Sequence, residues 1–279
     1  EFISSELMPL AIACSWHVKH TKRVLQSRTV RHVGLNPFLG RLKGHVSREA
    51  YGKVLIIGTW NYPVFLTGIQ VLQALAAGNS VIVKPAPGAE AITQALLDLF
   101  VMSGYPRNVI RQVASSADSV DACLAEGVDL IVMTASSHTG RVVASKAAQY
   151  LVPVIAELSG CDAMMVLSTA NLERAADAAV FGLRLNGSAT CMAPRRILVT
   201  SGQADQLRDL ILKRCVELRS LRVPERTASQ LTGLVHDAVT QGAQLVPCNA
   251  MDSGSPTIVD HVQASMKIAQ ADIFAPVVA

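Results

Sequence analysis

The chain has 279 residues, of which 50% are apolar and 16% charged, with a formal net charge of +4. Disordered and collagen-like chains are excluded, because so apolar a sequence must bury surface and its 18 glycines and 12 prolines follow no period. The length admits one large domain or two ordinary ones.

The charge is uneven. From Lys19 to Lys53 there are nine Lys/Arg and one acid, Glu49, so +8 lies there and −4 in the rest. No aromatic interleaving accompanies this arm, so it is expected to be solvated or to contact another subunit, and not to bind nucleic acid. The six cysteines are scattered, without C-x-x-C spacing, as expected of reduced thiols in a cytoplasmic protein.

In chain order, residues 1–50 read as an N-terminal helix, apolar at helical spacing from Leu7 to Leu25, and a basic loop around Gly34, Pro37, Gly40 and Gly44. Val54 to Val83 carries no charge, long enough for a membrane span. Gly58, Asn61, Pro63, Gln70, Gln73, Gly78 and Asn79 break it into strand, helix and strand, so no membrane segment is expected. The first residues lack a basic stretch followed by an apolar one, so no signal peptide is expected either. Short apolar runs predict strands at 53–58, 80–84, 109–113, 129–134 and 152–157. Helical patterns fill the gaps at 64–77, 90–103, 118–126 and 139–151. Such alternation predicts a doubly wound parallel sheet over 51–160, with ligands beyond the strands' carboxyl ends. Past Glu157 the pattern restarts, with strands at 163–167, 196–200 and 257–262. Helices are expected at 172–184, 203–219 and 231–241, around a polar, turn-rich stretch at 220–230. This predicts a second α/β domain over 161–279.

No two glycines lie two residues apart, so the G-x-G-x-x-G dinucleotide turn is absent. Four other features stand at strand ends or in loops. They are the turn Gly58-Thr-Trp-Asn-Tyr-Pro63, Lys84-Pro85, Glu157 in Glu-Leu-Ser-Gly160, and Cys191 after Asn186-Gly-Ser-Ala-Thr190. Each alone has a plain reading: a turn residue, a strand-end charge, a solvated carboxylate, an inert thiol.

Together and in order, they resemble the aldehyde dehydrogenase superfamily from about Tyr51 to Val277. The resemblance rests on Trp60-Asn61-Tyr62-Pro63, on Ala76-Ala-Gly-Asn79 with Lys84-Pro85, and on Met133-Thr-Ala-Ser-Ser-His-Thr-Gly140. Glu157-Leu-Ser-Gly160, Asn186 through Pro194, and Asp272-Ile-Phe-Ala-Pro276 complete it. It implies NAD or NADP as cofactor, an aldehyde as substrate, and a homo-oligomer for the complete protein. Cys191 would be the nucleophile, Glu157 the general base, and Asn61 with the Cys191 N–H the oxyanion donors. Thr59, Trp60, Lys84, Ala135, Ser136, Gly140, Asp272 and Phe274 would hold the cofactor, with Ser136 taking the pyrophosphate at a helix N-terminus.

The departures from the family pattern are specific. Pro87 stands where an acid usually accepts the adenosine ribose hydroxyls, which leaves NAD against NADP open. Ala135 and Ser188 replace glycines, Ala189 a glutamine, Asp272 a glutamate, and Cys161 a lysine. Ala135 is expected to crowd a backbone turn. Family members continue beyond the Asp272 motif, so a partial catalytic domain with exposed core-facing surface is expected. The alternatives are transfer to coenzyme A, and a non-catalytic relative that binds nucleotide or partners without turnover. His17 and His20 share a helical face, but no third ligand accompanies them and no metal is expected.

Overall fold

The computed structural model describes residues 2–31, 43–158, 160–216, 218, 221, 223–248 and 254–279. The chain separates into two compact units, 1–158 and 159–279. Residues 1–50 fall within the first of these units.

The first unit opens with a π turn, Ile3–Leu7, that runs into helix α1, Met8–Leu25. Strands β1, Arg28–Arg31, and β2, Lys43–Val46, follow and pair antiparallel. Gly44, expected in a loop, thus lies in a strand; Gly34, Pro37 and Gly40 fall outside the described residues. The ribbon was illegible because its strands are four residues long and polar on both faces, with no alternation to read.

A run of βα units then builds the parallel sheet. It comprises β3, Lys53–Ile57; α2, Phe65–Ala76; β4, Ser80–Lys84; α3, Glu90–Met102; and β5, Ile110–Gln112. It continues through α4, Asp118–Glu126; β6, Leu130–Ala135; α5, Ser137–Gln149; and β7, Val154–Leu158. The strand order is β5-β4-β3-β6-β7. The side-chain period of two makes β3 a divider between two cores. Val54 and Ile56 pack with Val71, Leu75 and Leu97, whereas Leu55 and Ile57 pack with Leu124, Val143 and Ala147. This is the predicted doubly wound sheet. Burying each such Val, Ile or Leu contributes about 1.5–3 kcal/mol. The winding reverses between β3 and β6, so the carboxyl ends of those two strands flank the crevice where open α/β sheets take ligands.

The second unit holds two small sheets. Strands β8, Ala163–Val166, and β9, Arg196–Val199, pair in parallel. Helices α6, Leu172–Arg184, and α7, Ser201–Cys215, share a core with them through Ala176, Ala179, Leu183, Leu207 and Ile211. Helix α8, Glu225–Thr240, packs through Leu231 and Ala238. Strands β10, Gln244–Pro247, β11, Thr257–Asp260, and β12, Val277–Val278, form the last sheet. Helix α8 begins inside the stretch expected to be turn-rich. Pro224 precedes its first residue in extended conformation, and only two of its side chains are buried, too few to give a period. Among the described residues no helix is long and apolar enough to cross a membrane.

Candidate active site

In the first unit the predicted residues cluster at the sheet's carboxyl end. The Gly58 N–H donates to the Lys84 carbonyl at 2.9 Å, which fastens the turn after β3 to the end of β4. Thr59 is buried, and its hydroxyl donates to Asn61 Oδ1 at 2.5 Å. That bond makes Oδ1 the acceptor end of the amide, so Nδ2 is the end that can donate to a ligand. Trp60 is 51% exposed beside it. Helix α2 starts immediately after, and its N-cap residue, Val64, offers no side-chain acceptor. The cap comes from Glu6, only 6% exposed, whose Oε2 accepts from Val64 N at 2.7 Å and Phe65 N at 3.1 Å.

Across the crevice, β6 ends at Ala135, paired with Leu158 of β7. Ala135 is not among the residues with positive φ, so its backbone is one that alanine adopts without strain. Ser136 is the N-cap of α5, its Oγ accepting from Thr139 N at 3.2 Å. It therefore stands at a helix N-terminus, where N–H groups and dipole favour anions. Gly140 has a packing reason to be glycine, since a Cβ there would lie 2.5 Å from Leu158 Cδ2. Glu157 is exposed on β7, opposite Thr134, whose hydroxyl accepts from Gln70 Nε2 at 2.9 Å. Two buried oxygens of α2, Thr67 Oγ1 and Gln70 Oε1, have no partner in the described structure. Unused polar capacity, a helix N-terminus and a topological switch point together fit a dinucleotide.

Lys84 ends β4, buried, with Nζ donating to the Pro85 carbonyl at 3.1 Å. Burial pushes its ammonium down from the ordinary lysine range, and the charge of Glu90 pulls the other way. The Ser115 hydroxyl holds the Glu90 carboxyl below the usual range, with Lys84 adding a smaller pull. Pro87 is uncharged, so Glu90 supplies the negative charge near this lysine.

In the second unit the order is built differently. Helix α6 is capped by Asn171, whose Oδ1 accepts from Arg174 N at 3.1 Å. Its Gly182 admits the Cys191 loop, since a Cβ there would lie 2.5 Å from Pro194 Cδ. Between them a tight 3₁₀ turn, Leu185–Ser188, contains three consecutive left-handed residues: Asn186 at φ 49°, Gly187 at 61° and Ser188 at 64°. For a non-glycine residue this conformation costs about 1–2 kcal/mol. Arg195, 3% exposed, offsets it. Its Nη1 donates to Ser188 Oγ at 2.9 Å and to the Ala275 carbonyl at 2.8 Å; its Nη2 donates to the Ser188 carbonyl at 2.5 Å and the Thr190 carbonyl at 3.3 Å. Burial pushes the guanidinium below its ordinary range, against the pull of Asp272, Cys161, Asp162 and Cys191.

Cys191 is half-buried between buried Thr190 and exposed Met192. The segment carrying half-buried Asp272 and Phe274 is laced to this loop. Ser188 Oγ donates to the Ala275 carbonyl at 2.9 Å, and Ala279 N to the Arg195 carbonyl at 2.9 Å. Of the other cysteines, Cys123, Cys215 and Cys248 are buried, and Cys14 and Cys161 are half-buried like Cys191. Burial raises the Cys161 and Cys123 thiols, and the Cys248 thiol is raised by donating to the Cys215 sulfur and by burial. His17 Nδ1 is paired with the Thr21 hydroxyl and His20 Nδ1 with the Trp16 carbonyl, both within α1.

The structure thus gathers Thr59, Trp60, Asn61, Lys84, Ala135, Ser136, Gly140 and Glu157 at strand ends of one unit. It gathers Cys191, Asp272 and Phe274 in the other. Glu6, Gln70, Glu90 and Arg195 escaped sequence reasoning. Only the uncapped start of α2 hinted at one of them.

The chain belongs to the aldehyde dehydrogenase family, whose sequence pattern matches residues 3–279. It is 28% identical to a 4,4'-diapolycopene aldehyde oxidase from Methylomonas sp over 99% of this chain and 54% of that protein. It is 31% identical to vanillin dehydrogenase from Pseudomonas fluorescens over 82% of this chain and 52% of that one. A Mycobacterium tuberculosis aldehyde dehydrogenase complexed with NAD+ superimposes with a TM-score of 0.87 at 26% identity, covering 100% of this chain and 60% of that one. An NADP-dependent glyceraldehyde-3-phosphate dehydrogenase from Bacillus halodurans, complexed with NADP, gives 0.85 at 29% identity, covering 97% and 59%. The chain spans about half the length of the curated relatives it matches.

Proposed function

We propose that the protein of which this chain is part oxidises an aldehyde to a carboxylic acid with NAD or NADP. Family membership, with Cys191, Asn61 and Glu157 all retained, carries the reading. The Cys191 thiolate adds to the carbonyl carbon and forms a thiohemiacetal. The Asn61 amide and the Cys191 N–H hold its oxyanion, an interaction worth roughly 10²–10³-fold in turnover per donor. The nicotinamide ring supplies the hydride acceptor. Glu157 then takes a proton from the water that hydrolyses the thioester, which favours hydrolysis over transfer to coenzyme A.

Lys84, Ser136, Asp272 and Phe274 are the cofactor residues in this reading, with Thr59 acting through Asn61. The negative charge of Glu90 near Lys84 disfavours a further phosphate on the adenosine ribose, so NAD is the expected cofactor. The proposed setting is a cytoplasmic homo-oligomer.

The test is nicotinamide reduction at 340 nm with a panel of aldehydes. Activity with NAD above that with NADP, falling at least ~10³-fold in Cys191→Ser, is the expected result. Cofactor binding without turnover in any variant overturns the enzyme reading in favour of a nucleotide-binding relative. NADP preference overturns the part given to Glu90.

A further inference from the structure

The Cys191 loop contains an arrangement that the family pattern does not supply. Ser188 stands in a left-handed backbone at the position where the resembled pattern has glycine, with no exposed surface. A side chain there is tolerated only when its surroundings over-determine the conformation. Arg195 provides that determination. Its two terminal nitrogens meet four acceptors: both oxygens of Ser188, the Thr190 carbonyl and the Ala275 carbonyl. The planar fork suits such a set, whereas an ammonium cannot reach it all.

The contact at Thr190 has a consequence for its neighbour. The Thr190 carbonyl and the Cys191 N–H belong to one planar peptide group and point in opposite directions. The Arg195 bond to that carbonyl, together with one from Ala193 N at 3.3 Å, therefore holds the direction of the Cys191 N–H. The bonds to Ala275 fix the same loop against the segment bearing Asp272 and Phe274.

We propose that Arg195 is a positioning residue for Cys191, a guanidinium clamp that aims the Cys191 N–H and is required because residue 188 is serine in a glycine-like conformation. The inference rests on the reading of Cys191 as nucleophile. It makes the two residues a coupled pair: removing the strain at 188 lessens the need for the clamp. Loss of a merely structural arginine shows no such dependence on residue 188.

The test uses the 279-residue chain. Arg195→Ala is expected to lower kcat ~10²-fold, the scale of a misdirected oxyanion donor, with KM for aldehyde and cofactor changed by no more than about 2-fold. Ser188→Gly added to Arg195→Ala recovers at least ~10-fold of kcat, because glycine adopts the turn unaided. Ser188→Ala added to Arg195→Ala recovers none, since it removes the hydroxyl and keeps the strain. Amide hydrogen exchange across 185–192 gives a readout independent of turnover. It rises about 10-fold in Arg195→Ala and falls back in the double variant with glycine.

Unchanged kcat in Arg195→Ala, or equal recovery by glycine and alanine, overturns the clamp. A chain inactive in every form leaves the clamp to be decided by the exchange pattern, which does not depend on turnover. If Arg195→Ala does not fold, Arg195→Lys takes its place, with kcat and exchange between wild type and the values above. Wild-type values in Arg195→Lys for both readouts count against the fork.

Discussion

At the carboxyl end of the parallel sheet, Asn61, Ser136 and Glu157 stand on or just beyond regular elements, and the order of the strands settles where they are. Around Cys191 no regular element holds the backbone. Three consecutive left-handed residues are stabilised by one buried arginine, and a segment some eighty residues further on is tied to the same group. The first arrangement is cheap and tolerant, since a strand or helix N-terminus forms from many sequences. The second concentrates its dependence in a few side chains, so a single substitution reaches Cys191 directly.

The comparison can be broken from the first unit's side. Glu6→Ala leaves the Val64 and Phe65 N–H groups without their acceptor and is expected to cost about 1–3 kcal/mol. Chemical denaturation measures that loss, and Glu6→Gln, which keeps an acceptor oxygen, should recover most of it. Equal stability of all three proteins would mean that the sheet end does not depend on this distant cap.

A somewhat smaller effect is expected at Gly140→Ala, about 1–2 kcal/mol, because the new Cβ must displace the Leu158 side chain. Leu158→Ala in the same chain relieves the overlap, so the two substitutions should be strongly non-additive. Additive costs would show that α5 and β7 do not press on each other there.

The smallest effect sharpens the contrast from the second unit. Burial alone would raise the Asp260 carboxyl, but the Arg208 guanidinium, at 2.9 Å, and the His261 N–H, at 2.7 Å, hold it below the usual range. A depressed folded-state value stabilises the native form above the unfolded value of about 3.9, and that contribution is lost as pH falls through the folded value. Asp260→Asn should therefore lower Tm at neutral pH, and the gap from wild type should close below about pH 4. A gap that persists in acid would assign the effect to packing alone.

Much of the first unit was legible in the sequence for a physical reason. Doubly covered parallel strands are short, apolar and bounded by turn residues, so 53–57 and 80–84 announce themselves. Helix α6 was equally plain, with apolar residues on one face and Asn171 before it. The β1–β2 ribbon and β12 were not legible, being too short and, for the ribbon, too polar to show a period. The candidate site divides in the same way. Cys191, Asn61 and Glu157 were proposed through ordered motifs, whereas Arg195 and Glu6 also act on partners 80 and 58 positions away and leave no local pattern. Ala135, expected beside a turn, is the last residue of β6.

The Glu6 cap bears on where this chain can be cut. The parallel sheet begins near Tyr51, and a fragment started there keeps its five strands, helices α2–α5 and the Trp60-Asn61 turn. It would lack the carboxylate that accepts from the first N–H groups of α2, directly behind that turn. Expression vectors, protease sites and domain transplants that respect the strand pattern alone would thus deliver an intact sheet with an unfastened edge at Asn61. The practical N-terminal boundary of the first unit lies before residue 6, more than forty residues upstream of the first strand of its sheet.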